Sequence, residues 1–62
     1  MNFGEKCLYF RARFSLTQND LAEMFDVTPL MIYRYENGYA KPREANKMRF
    51  EEIMEKAEVN FK

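Results

Sequence analysis

Apolar residues recur at helical intervals along most of the chain, and short polar or breaking stretches part them into four segments. Phe3, Cys7, Phe10 and Phe14 follow at steps of four, three and four, which is one face of a helix; in a strand they would fall on both faces. The spacing predicts a first helix from Phe3 to Phe14, with Cys7 packed in the core between Phe3 and Phe10. Thr17, three residues ahead of Asp20, gives a capping-box-like start to a second helix that turns Leu21, Ala22 and Phe25 inward and stops near Asp26. Thr28 then reads as a new N-cap and Pro29 as the first residue of a third helix, where a missing N–H costs nothing. That helix runs to Glu36 with Ile32 and Tyr35 inward, and Asn37-Gly38 closes it with a pair suited to left-handed backbone. From about Pro42 to Asn60 no breaker intervenes, and Phe50, Ile53, Met54, Ala57 and Phe61 keep helical spacing in a fourth helix. No stretch alternates with period two for the length of a strand, so the expected fold class is all-α, a compact bundle of four helices.

Sixty-two residues predict a single domain, residues 1–62, because larger chains spread over cores of roughly 100 to 200 residues each. A multi-domain enzyme is not expected, and no residues are grouped for catalysis. A chain that is 47% hydrophobic is too apolar to remain disordered. It is also short enough to bury only about 60% of its unfolded surface, so its stability margin is small. One cysteine allows no internal disulfide, and the lack of histidine excludes the usual Cys and His zinc sites; no cofactor is expected. No run approaches the roughly 18 to 20 apolar residues of a membrane span, and the start lacks a secretory signal's apolar run. No membrane partner is therefore expected, and the expected location is the cytosol.

Ten basic residues balance ten acidic ones, and a bulk charge of zero speaks against a nucleic-acid partner. Its distribution changes that picture. From Arg34 to Phe50, Arg34, Lys41, Arg43, Lys47 and Arg49 stand against Glu36 and Glu44, a net +3; from Glu51 to Lys62 the net is −2. Neutrality thus conceals a polar molecule with its basic part beside the third helix. Glu51, Glu52, Glu55 and Glu58 have no histidine or second acidic motif to work with and read as a solvated helical face.

Two helices joined by so short a turn cross steeply, so a small residue on one must face a large one on the other; Ala22 and Ile32 fill those places. Thr28, Pro29, Leu30, Met31, Tyr33, Arg34 and Asn37 are then left unused by the core, on a face that a major groove can accept. In order and spacing, Gly4-Glu5-Lys6, Arg11, Leu16-Thr17-Gln18, Leu21-Ala22-Glu23, Val27-Thr28, Ile32, Tyr35-Glu36-Asn37-Gly38 and Pro42-Arg43 resemble the Cro and lambda-repressor type of helix-turn-helix, the xenobiotic-response-element family. The resemblance covers about Phe3 to Phe50. It implies a bacterial or phage regulator, a small Cro-like repressor, that binds double-stranded DNA as a homodimer with its third helix in the major groove. The sequence departs from the family at Ser15 and Asp26, where Gly is frequent, and has no counterpart of the usual fifth helix, which supports dimerisation.

Carried over by position, the resemblance implies base contacts from Pro29, Leu30, Tyr33 and Arg34, with Met31 extending the apolar tip. It implies phosphate contacts from Gln18, Lys41 and Arg43, joined at the helix ends by Thr17, Thr28 and Asn37. Arg34 can donate two hydrogen bonds to guanine, and a helix N-terminus such as that at Gln18 attracts phosphate. Pro29, Leu30 and Met31 cannot hydrogen-bond a base edge and are left with thymine-methyl contact or shape readout. Tyr33 and Tyr39 either donate to phosphates or cover the corner. Arg11 and Glu36 correspond to the family's internal ion pair.

Leu8, Tyr9, Val59 and Phe61 either form a dimer or partner surface or are apolar residues that a small core leaves exposed. The alternative to a DNA reader is a protein-interaction module on the same fold, antitoxin-like or a host-takeover factor. Neither reading calls for a small-molecule substrate.

Overall fold

The computed structural model describes residues 1–60, in four helices: α1 (Phe3–Phe14), α2 (Gln18–Phe25), α3 (Pro29–Glu36) and α4 (Glu44–Asn60). No strand occurs among the described residues. The first three helices begin and end by the same two devices. Asn2 and Thr17 close full capping boxes with Glu5 and Asp20, and Thr28 accepts from the Met31 N–H ahead of Pro29. At the other end, Ser15 (φ 56°), Asp26 (φ 59°) and Gly38 (φ 76°) adopt left-handed backbone. The following N–H groups then turn back: Leu16 to the Arg11 carbonyl at 2.9 Å, Val27 to Ala22 at 3.0 Å, and Tyr39 to Arg34 at 2.9 Å. The closures at Asp26 and Gly38 are Schellman motifs, with a second bond from the Asp26 N–H to Glu23 and from the Gly38 N–H to Tyr35, while at Ser15 both returning N–H groups meet the Arg11 carbonyl. All three closures make the chain turn sharply, and they place Leu16 and Val27 against the core.

Two expectations shift here. Of the pair Asn37-Gly38, only Gly38 is left-handed; Asn37 has φ −98°. The fourth helix starts at Glu44 rather than Pro42, because its first turn closes on the Arg43 carbonyl, 2.8 Å from the Lys47 N–H. Pro42 and Arg43 thus belong to the connecting loop. Phe61, assigned to the inner face of this helix, lies outside the described residues.

One core unites the helices: Phe3, Cys7 and Phe10 from α1, Leu21, Ala22 and Phe25 from α2, Ile32 and Tyr35 from α3, and Phe50 and Met54 from α4. Phe25 stacks on Phe50 at 4.3 Å, and Phe3 meets Tyr35 edge-on at 5.4 Å. The radius of gyration is 10.6 Å, that of a well-packed chain of this length. Helix α3 packs against both α1 and α2. Such double support fixes its orientation and leaves its far side open.

Gly4 is buried where α1 passes the end of α3; a Cβ there would collide with the Tyr35 carbonyl oxygen. Arg49 on α4 donates from Nη2 to the Phe25 carbonyl at 2.9 Å and lies over the Phe50 ring at 4.7 Å, tying α4 to the end of α2. Lys6 pairs with Glu51 between α1 and α4. Glu51 is therefore not part of a purely solvated face, as its sequence neighbours suggest, because the crossing of α1 brings a cation onto it. Among the described residues, no helix is long and apolar enough to cross a membrane.

Candidate nucleic-acid interface

Helix α3 is eight residues long, too short to persist without tertiary support. Ile32 and Tyr35 anchor it in the core, and the helical period then turns Leu30, Tyr33, Arg34 and Asn37 outward, all exposed. Leu30, at the tip of the helix, is 54% exposed. Pro29 is exposed beside it. Met31 behaves differently from the expectation that it is unused by the core: it is half-buried and packs against the core cluster. It directly precedes Ile32, and its flexible chain reaches inward from the edge of the buried face.

The end of α3 is held by a cluster of four side-chain hydrogen bonds. Arg11 Nε donates to Glu36 Oε2 at 2.7 Å and Arg11 Nη2 to Oε1 at 2.8 Å, a bidentate pair. Arg11 Nη1 also donates to the Leu16 carbonyl at 3.2 Å, and Gln18 Nε2 to Glu36 Oε1 at 3.0 Å. The Glu36 side chain is only 3% exposed and that of Arg11 21%. The hydrogen bond to Glu36 raises the Arg11 pKa above its ordinary value, against the opposing effect of burial. Beneath the pair, burial above all and then the Glu36 charge push the Cys7 thiol up to about 12, while Arg11 pulls the other way. Cys7 is fully buried as a neutral core residue.

Arg11 and Glu36 thus meet as an ion pair, and Gln18, assigned to phosphate, joins them through its amide. The sequence shows each of these residues but not the three-way contact, since its partners lie 25 and 18 positions apart. Thr17 and Thr28 each accept a backbone N–H through the side-chain oxygen; the hydroxyl proton remains to be donated. Asn37 Nδ2 turns back to the Tyr33 carbonyl at 2.8 Å.

The Tyr33 and Tyr39 rings lie 6.1 Å apart on the exposed side, Tyr39 being 72% exposed. Lys41 and Arg43 project from the loop after α3. Arg49 is a structural residue that charge counting groups with the free basic residues; one of its donors is spent on Phe25. Leu8, Tyr9 and Val59 are exposed on α1 and α4. Among the described residues, no group of His, Cys, Asp or Glu is placed to hold a metal ion.

Two short, capped helices joined by a left-handed turn, the second braced by an ion pair and presenting a mixed polar and apolar face, define a helix-turn-helix domain. Comparison with family models agrees: residues 9–54 match the helix-turn-helix model. The chain belongs to the Cro/C1-type helix-turn-helix family, a family of DNA-binding transcription regulators that are generally not enzymes. Neither curated proteins nor solved structures give a match.

Proposed function

We propose that the protein is a sequence-specific repressor acting by promoter occupancy. A homodimer, at least on DNA, sets two α3 helices into successive major grooves about 34 to 36 Å apart. Pro29, Leu30, Tyr33 and Arg34 face base edges, with Met31 at their margin. Thr17, Thr28, Asn37, Lys41 and Arg43 approach phosphates, and Gln18 brings both its remaining amide N–H and the α2 N-terminus. The protein acts in the cytosol, where such DNA would be met.

The observation that carries this reading is the two-sidedness of α3: Glu36 is locked to Arg11 and Gln18, while Leu30, Tyr33 and Arg34 project free of the core. The test is selection of bound sequences from random duplex DNA. A partly palindromic site should be enriched, and footprinting should place it at a promoter. Failure to enrich any site contradicts the proposal.

A second reading, a protein-interaction module, draws on the exposed Leu8, Tyr9 and Val59. Salt separates the two. DNA binding through about five phosphates weakens steeply between low and moderate salt, and an apolar interface does not.

A further inference from the structure

We infer that the α3 face reads a pyrimidine carrying a C5 methyl group close to a guanine, and that it holds no adenine-reading amide. The inference rests on the proposed seating of α3 in the major groove. Reading adenine there takes an Asn or Gln amide that accepts from N6 and donates to N7. No residue of α3 from Pro29 to Glu36 is Asn or Gln. Both amides at its flanks are already engaged: Gln18 Nε2 donates to Glu36 at 3.0 Å, and Asn37, exposed beyond the end of the helix, donates from Nδ2 to the Tyr33 carbonyl at 2.8 Å.

The exposed side chains of α3 are Pro29, Leu30, which is more than half exposed, Tyr33 and Arg34. Arg34 has the fork that matches guanine O6 and N7, whereas Leu30 can gain only by covering apolar surface. In the major groove the apolar surface of a base edge is the pyrimidine C5 methyl group. Leu30 and Arg34 stand four residues apart, so they are neighbours on one helix face with Cβ atoms about 5 to 6 Å apart. That separation spans one to two base steps of about 3.4 Å.

The test uses base analogues in the site selected from random DNA, with affinity measured by titration at fixed salt. Uracil in place of the contacted thymine should weaken binding about fourfold, the value of one buried methyl group. Cytosine methylated at C5, set at the same place with its guanine partner, should bind more tightly than plain cytosine. Replacing guanine by 7-deazaguanine should cost about tenfold, and 7-deazaadenine should change nothing. Leu30→Ala should erase the uracil effect and keep the 7-deazaguanine effect. A selected site indifferent to uracil, or weakened as much by 7-deazaadenine as by 7-deazaguanine, overturns this inference and leaves the proposed function standing. Failure to select any site overturns both.

Discussion

The Cα of Gly4 lies so close to the carbonyl oxygen of Tyr35 that no side chain fits between α1 and the end of α3. The next nearest obstacle, Glu36 Cα at 3.3 Å from an added Cβ, is also backbone, so neither neighbour can swing aside. Helix α1 is thereby seated where Arg11, two turns further on, reaches Glu36. Gly4→Ala should force the helices apart and cost about 1 to 3 kcal/mol. For a domain of this size each kcal/mol lowers Tm by about 4 to 8 °C. An unchanged thermal melt would show that α1 can shift freely.

Glu36 accepts from both Arg11 and Gln18 while nearly closed to water. Glu36→Ala leaves a guanidinium and an amide without their acceptor and should destabilise by about 2 to 4 kcal/mol, much of a small domain's reserve. Urea denaturation checks this. The double variant Arg11→Met with Glu36→Leu should recover a good part of the loss, because no charge is then left unpaired and only the neutral Gln18 amide and Leu16 carbonyl lose a partner. A double variant no better than Glu36→Ala would contradict the pairing.

Alkaline pH should unfold the protein through Cys7. Its folded pKa, near 12, lies above the ordinary thiol value, so between the two the unfolded state is ionised and the folded state is not. Stability is complete below about pH 8.5 and falls as pH rises, by about 1.4 kcal/mol per unit. Tyr35, raised chiefly by burial, adds a loss of the same sign above pH 10. Urea midpoints from pH 8 to 10 should decline for the native sequence and stay flatter for Cys7→Ala. Equal slopes would remove Cys7 as the cause.

Ser15 holds left-handed backbone at the end of α1 with φ 56°, a conformation that costs a residue with a Cβ about 1 to 2 kcal/mol. Ser15→Gly removes the clash but adds unfolded-chain entropy, for a net gain of about 1 kcal/mol. Tm should rise by about 4 to 8 °C. A lower Tm would mean that the entropy outweighs the strain.

The starts of α2 and α3 were legible because capping is local: Thr17 and Asp20, or Thr28 and Met31, are three residues apart and meet whenever the chain turns helical; α4, without such a signal, starts two residues later than its apolar spacing suggests. The inward sets were legible for the same reason, since period 3.6 sorts Cys7, Phe25 and Ile32 to one side without knowledge of what lies opposite. Arg11 with Glu36 came from resemblance, because nothing local joins them. Spacing could not foresee that Gln18 is drawn to Glu36, that Lys6 claims Glu51, that Arg49 ties α4 to Phe25, or why Gly4 must be small.

The sequence by itself therefore determined four amphipathic helices, the caps of α2 and α3, and the polar distribution hidden in a net charge of zero. Which outward residues stayed free was decided only by tertiary structure. Gln18 and Met31 look available in the sequence, but packing draws each inward, while Leu30 and Arg34 remain exposed. The physical reason is one of range: helical propensity and capping act within a turn, whereas a side chain's availability depends on what the crossing of distant helices brings within about 3 Å of it.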